Sequence, residues 1–216
     1  MEGTKLERVK ETRYLGVIID EKLNWNSHVQ HIKSKIVKGS YILSKLRHYV
    51  NLKTLKLVYF SLIYPHLNYC ITSWGSTSGS TLKPLFRLQK KIVRIITFSS
   101  FTCHSPPLFA NLNLLPLDQI YNLNLSVLIH KIYNKTSPSS HNLIPLENVH
   151  NYQTRLSTGG NFYQNFNRIN LGQSTYSAKG VKCWRKVPNE IKSLPVFSFK
   201  LRLKKYMLEQ QKIQIN

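Results

Sequence analysis

Five cations in one short stretch, Lys83, Arg87, Lys90, Lys91 and Arg94, carry the most specific chemistry in the sequence. Four of them recur at steps of four, three and four residues, the spacing that gathers side chains into one stripe of an α-helix. Leu85, Leu88, Ile92, Ile95 and Ile96 fall on the opposite side, so a helix over Leu82 to Phe98 would bury one face and present the cations as a unit. A helix face that is merely solvated usually mixes signs into i,i+4 pairs, and no Asp or Glu lies within this span. The chemistry implied is the holding of phosphates. If all five cations met phosphates, affinity would fall by about two to three orders of magnitude between roughly 50 and 200 mM salt.

Other candidate chemistry is thinner. The carboxylates are Glu2, Glu7, Glu11, Asp20, Glu21, Asp118, Glu147, Glu190 and Glu209, with no Asp-Asp pair among them. Nucleotide transfer needs carboxylates converging on two divalent metals, and this set offers none. There is no glycine-rich phosphate loop, no Gly-x-Ser-x-Gly turn and no His-Glu-x-x-His helix. His28 and His31 could share a helical face, and Cys103-His104 is an adjacent pair of soft ligands. Neither has a further ligand at metal-site spacing. No catalytic residue and no metal ligand is therefore predicted. Cys70, Cys103 and Cys183 are odd in number and far apart, which fits a reducing compartment better than a disulfide framework.

Composition supports a polyanionic partner. Against 31 Lys and Arg stand 9 Asp and Glu, a net charge of +22, while a hydrophobic content of 42% suffices for a packed core. The first residues, Met1 to Glu7, are charged and have no apolar centre, so they do not read as a signal peptide. The uncharged stretch Leu57 to Trp74 is interrupted by Ser61, Pro65, His66, Asn68, Thr72 and Ser73, and reads as buried helix rather than a membrane span. The expectation is an intracellular protein of nucleus or cytoplasm, with no membrane partner and no small-molecule substrate.

The elements that would position the cations follow from periodicity. Leu6 to Val9 and the run Tyr14 to Ile19 read as two strands of a hairpin, with Gly16 inside the second marking a sharp bend, a close backbone approach or a bulge at a sheet edge. A helix from about Val29 to His48, capped by Asn26 or Ser27, places Val29, Ile32, Ile36, Leu43 and Leu46 on one face. Lys35, Lys38 and Lys45 fall on the other. A second helix starts at a cap near Asn51, is apolar on most sides and is kinked or ended by Pro65, with Leu67 to Trp74 continuing at an angle, and Gly75 to Ser80 is a loop. Ser99 to Pro107 reads as a connection, with Pro106-Pro107 opposing helix. A helix then follows from Leu117 to Tyr133 with Ile120, Leu123, Val127, Leu128 and Ile132 as its core face.

Asn134 to His141 is the best internal boundary. Beyond it, Tyr152, Phe162, Tyr163, Phe166 and Tyr176 are either local core or a base-stacking set, with Arg155, Arg168 and Lys179 beside them, and Phe162 to Phe166 reads as a short strand. Lys179, Lys182, Arg185 and Lys186 surround Trp184 as a second basic patch, before a final amphipathic helix over Phe197 to Leu208.

Tyr14-Leu15-Gly16-Val17, followed by Asp20, Leu23, Trp25 and His28, resembles the last block of reverse transcriptases from non-LTR (LINE-like, jockey-like) retrotransposons. The resemblance continues through Leu62-Ile63-Tyr64-Pro65 with Trp74-Gly75, through Leu88-Gln89-Lys90-Lys91 with Arg94-Ile95-Ile96, and to Trp184, Val187-Pro188 and Phe199-Lys200. It implies a mainly α chain in three parts. Residues 1–28 would be an end-of-palm, primer-grip-like β-hairpin, 29–135 a helical thumb-like bundle, and 136–216 a basic subdomain of loops and short strands with a final helix.

The resemblance further implies that Tyr14, Leu15 and Gly16 touch a primer end, and that RNA or an RNA–DNA duplex is the partner, with the missing polymerase palm as another. The family's Tyr-x-Asp-Asp turn would lie upstream, so this fragment would be inactive alone and hold no cofactor, whereas the full-length family would use Mg. A co-opted RNA-binding module and a non-functional remnant are the alternatives.

Overall fold

A two-residue turn, Leu15-Gly16, reverses the chain between β1 (Glu11–Tyr14) and β2 (Val17–Asp20), which pair antiparallel with Tyr14 opposite Val17. Both turn residues have positive φ, 46° at Leu15 and 82° at Gly16, as a hairpin turn that follows the strand twist requires. Gly16 is thus the pivot of the hairpin and not a bulge within a strand. Reading Tyr14 to Ile19 as one run missed this because Leu at a left-handed position gives no turn signal. Arg8 and Val9 lie outside any strand.

The computed structural model describes residues 8–137, 143–149, 152, 159–164, 168–169, 172–173 and 175–214. It is mainly helical after the small hairpin, as the sequence implied. The chain divides into two units. Met1–Cys70 and Thr77–Phe101 form the first, and Ile71–Ser76 and Thr102–Asn216 the second, so the boundary expected after residue 135 falls inside the second unit.

In the first unit the hairpin leads into α1 (Asn26–Leu46), followed by α2 (Leu52–Leu62) and α3 (Tyr64–Asn68). The two carboxylate oxygens of Asp20 accept the backbone N–H groups of Lys22, Asn24 and Trp25 at 3.1, 3.0 and 2.7 Å and hold the connection. These bonds, that from Asn24 foremost, keep the carboxyl below its ordinary range. Trp25 occupies the N-cap of α1 with φ 62° and no side-chain cap, so neither Asn26 nor Ser27 caps the helix.

The core face of α1 is as expected: Val29, Ile32, Ile36 and Leu43 are buried and Leu46 half-buried, while Lys35, Lys38 and Lys45 are exposed. Asn51 caps α2 by accepting from Thr54 N–H at 2.9 Å. That helix buries only Leu55 and Tyr59, so it is two-sided rather than central as expected, with Leu57 exposed. Pro65 ends it and sits in the first turn of α3, where its missing N–H costs nothing.

The second unit begins with α4 (Ile71–Trp74), whose Ile71 and Trp74 are buried and which packs on the later helix over Leu117–Tyr133. The intervening segment, α5 (Gly79–Ile96), belongs to the first unit and lies along α1. Helix α6 (Ser105–Leu112) carries Pro106 and Pro107 in its first turn, correcting their reading as helix breakers, because the first N–H groups of a helix have no partner to lose.

Helix α7 (Leu117–Tyr133) packs on α8 (Tyr176–Arg185) and on α10 (Val196–Ile213), with the short α9 (Asn189–Lys192) between the last two. Of the core face expected for α7, Ile120 and Leu123 are buried. Val127, Leu128 and Ile132 are only partly so, and Leu125, Ile129 and His130 take their place.

The core of this unit centres on Trp184. His130 stacks on Phe199 with ring centroids 3.9 Å apart, and its Nε2–H donates to the Leu194 carbonyl at 2.9 Å. Trp184 Nε1–H donates to the Gly160 carbonyl at 2.9 Å. Lys192 is a buried cation: its Nζ donates to Asn161 Oδ1 at 2.9 Å and to the Gly159 carbonyl at 3.2 Å, and it lies 5.2 Å from the centre of the Trp184 ring system. Burial draws its pKa below the ordinary lysine value. Phe162 is buried and forms one antiparallel bridge with Pro145. Phe166 and Arg155 lie outside the described residues, so the expected strand reduces to this bridge where it is described. Among the described residues no helix is long and apolar enough to cross a membrane.

Candidate nucleic-acid interface

Helix α5 forms because Ser78 caps it, its side chain accepting from Thr81 N–H at 3.3 Å, and because its apolar positions recur on one side. Leu85, Ile92, Val93, Ile95 and Ile96 are buried and Leu88 half-buried. Gln89 is buried with them and donates from Nε2 to the Tyr59 hydroxyl at 3.0 Å, a polar tie between α5 and α2. Thr81 Oγ1 donates to Asn26 Oδ1 at 3.0 Å and Thr77 Oγ1 to the Asn24 carbonyl at 3.0 Å, fixing the start of α5 to the start of α1.

On the outer side, Lys83, Arg87 and Lys91 are exposed and Lys90 and Arg94 half-buried. Lys90 Nζ sits 4.2 Å from the Phe86 ring centroid and the Arg94 guanidinium 5.9 Å from that of Phe101, so each of these cations lies beside an aromatic ring. Among the described residues Lys83, Arg87, Lys90 and Lys91 have no acidic partner. From Lys83 to Arg94 the stripe is about 16 Å long, roughly five phosphates of one strand.

The hairpin turn borders a second feature. Tyr69, just past α3, donates its hydroxyl to the Leu15 carbonyl at 2.6 Å and pins the turn over a groove of about 430 Å³. Leu15, Gly16 and Lys35 line it, joined by Arg13, His28, His31, His66 and Tyr69, with no carboxylate among the lining residues. Tyr14 and Leu15 are 64% and 72% exposed, so the side chains that flank and form the turn face solvent.

The ionisable groups of the groove are mutually unfavourable when charged. Burial and then His31 hold the pKa of His28 down, and His66 is lowered by burial, Lys35 and His31. His28 is further committed to its neutral form because Nδ1 accepts the Ile18 N–H at 3.3 Å. A site with this balance favours an anion, which would relieve the repulsion. Among the described residues no three His, Cys, Asp or Glu side chains converge in a way that could hold a metal ion.

Of the residues singled out from the sequence, Leu15, Gly16 and Lys35 meet at the groove. Tyr14 flanks the turn, Lys38 is exposed on α1 outside the groove lining, and the five cations of α5 form their own stripe. Lys182 and Arg185 are exposed on α8 in the second unit, where Arg185 Nη2 also donates to the Phe162 carbonyl at 3.2 Å. Tyr152, at 81% exposure, and the exposed Tyr163 keep accessible rings, whereas Phe162 is core. Sequence reading missed Arg13, His66 and Tyr69, and weighed His28 and His31 only as a pair of metal ligands. The i,i+4 pair His31 and Lys35 was a detectable signal on α1, but the approach of α3 to the hairpin is a long-range contact that periodicity does not report.

No protein-family model matches the chain, and no solved structure matches it. The chain is 26% identical over 118 residues to a Drosophila melanogaster protein named "Probable RNA-directed DNA polymerase from transposon X-element", covering 53% of this chain and 13% of that protein. It is 30% identical over 99 residues to the RNA-directed DNA polymerase from mobile element jockey of Drosophila funebris, covering 44% of this chain and 11% of that one. The aligned part is thus a small fraction of either relative. Together with the motifs that begin at Tyr14, these matches make the chain similar, over about half its length, to the RNA-directed DNA polymerases of non-LTR retrotransposons.

Proposed function

We propose that the chain is a nucleic-acid-holding portion of a retrotransposon RNA-directed DNA polymerase, gripping RNA or an RNA–DNA template–primer while the carboxylates of nucleotide transfer come from elsewhere in the polymerase. The observation that carries this is the stripe Lys83, Arg87, Lys90 and Arg94 with Lys91 beside it, one face of α5 with no acid in the helix to neutralise it. Fixed by its packing on α1, the stripe presents cations at the spacing of a phosphate backbone without folding around it, which limits the entropy lost on binding.

The groove under the Leu15-Gly16 turn, with Arg13 and Lys35, receives the end of a strand. Lys38 extends the positive surface of α1, and Lys182 and Arg185 add a basic patch on the second unit. Thumb-like holding of the duplex is the role this arrangement suits.

Binding to a labelled RNA–DNA primer–template across a salt series tests the reading. The wild-type chain should show a steep loss of affinity with salt. Changing Lys83, Arg87, Lys90 and Arg94 together to Gln should flatten the log–log slope by about 3. Salt-insensitive binding, or a slope unchanged in the variant, would remove α5 from the interface.

A further inference from the structure

The end of α5 carries a second feature. Ser99 N–H donates to the Arg94 carbonyl at 3.1 Å, the bond that closes a helix around one left-handed residue, and that residue is Phe98 with φ 57°. Glycine fills this position at least cost, because a Cβ in the left-handed region crowds the following carbonyl. The chain instead places an aromatic ring there, 52% exposed, and a second ring at Phe101, 74% exposed. Strain held at an exposed ring points toward a use for the ring.

Each ring is backed by a guanidinium. Arg47, which follows α1, lies 4.5 Å from the Phe98 centroid, and Arg94 lies 5.9 Å from that of Phe101. Arg47 Nε is buried with no hydrogen-bond partner among the described residues, so this side chain is not held by saturated local bonding. No acidic residue occurs between Arg94 and Asp118, and Ser99 and Ser100 separate the rings. Two rings parted by polar residues and flanked by cations suit flat, anionic units better than the continuous apolar groove of a protein partner.

We propose that Phe98 and Phe101 form a stacking platform for unpaired bases of a single-stranded nucleic acid, placed where the phosphate track of α5 ends. Every base has a π-face, so the platform tolerates any sequence, and Arg47 and Arg94 add charge for the adjoining phosphates. The inference rests on α5 acting as a backbone track, with Arg94 belonging to both. It identifies the single-stranded extension of the duplex, rather than the duplex itself, as what the end of the helix recognises.

The test compares a blunt RNA–DNA duplex with the same duplex carrying an overhang of about eight nucleotides, with 2-aminopurine at successive overhang positions. Phe98→Gly suits the left-handed backbone and so keeps the fold, and Phe101→Leu keeps bulk without a π-face. The wild type should prefer the overhang by about tenfold or more and quench 2-aminopurine, while the double variant should bind both substrates as the wild type binds the blunt one.

An equal loss on both substrates, or no overhang preference in the wild type, would overturn the platform. A steep salt dependence on the blunt duplex alongside the latter result would leave the α5 track standing. Failure to bind either substrate would remove both. Preferential binding of an acidic, non-nucleotide protein at Phe98 would also overturn the platform.

Discussion

His28 shows how one side chain couples the hairpin to its helix. Its Nδ1 accepts the Ile18 N–H, so protonation there breaks the bond and buries a charge. The folded values of His28, His66 and His130 all lie below the ordinary 6.5, so the unfolded chain takes up protons first. Stability is therefore full above about pH 6.5 and falls as pH drops through the folded values. Urea midpoints measured from about pH 8 down to about pH 5 should decline, and His28→Asn, which keeps an acceptor near the Nδ1 position, should decline less steeply. An equally steep decline would place the titration elsewhere.

Asp20 acts in a lower window: its depressed carboxyl stabilises above the ordinary 3.8 and loses that effect as pH falls through its folded value. At neutral pH, Asp20→Ala removes the acceptor of three backbone N–H groups and should cost about 1–2 kcal/mol by denaturant titration. The turn at Asp20 was visible in the sequence as a break after an apolar run. Its role as anchor for three N–H groups was not, since it depends on Leu23 and Trp25 taking left-handed backbone that neither residue type announces.

Among the elements, α4 and the glycine after it form a close junction in the second unit. A Cβ at Gly75 would meet the Ile71 carbonyl oxygen and the Tyr121 ring, each at 2.5 Å. The Trp74-Gly75 pair quoted for the resemblance thus has a packing reason: the Trp side chain is fully buried, and no side chain fits beside it. Gly75→Ala should destabilise this unit by about 2–3 kcal/mol, read as a lower thermal midpoint. An unchanged midpoint would mean that Tyr121 moves aside without cost.

Where an element has one clean apolar face, as α1 and α5 do, its place in the core was legible. Helices α2 and α7 were read less well because apolar residues occur nearly all round them, and partners distant in sequence decide which are covered. Helix α6 was missed by giving Pro106 and Pro107 their interior meaning at a position where they open a helix.

At the scale of the molecule, a charge of +22 repels itself in the folded chain more than in the expanded one. Raising NaCl from about 50 to about 300 mM should raise the thermal midpoint by a few degrees, and heparin should do so at lower ionic strength by binding the folded form. A midpoint that falls with salt would show that the cations are already compensated. The positive balance and its concentration on α5 were plain in the sequence. The groove was not, because its walls come from β1, α1 and α3 and assemble only by folding.

The order in which the chain supplies its two units bears on synthesis. Ile71–Ser76 belongs to the second unit, yet the first unit resumes at Thr77 and ends at Phe101. A ribosome that has released the chain only as far as Phe101 has therefore already delivered Ile71 and Trp74, whose cover on α7 begins at Leu117. Until α7 emerges, an indole destined for complete burial waits in water, an inviting contact for a chaperone. Any product shortened after Phe101 would keep it there.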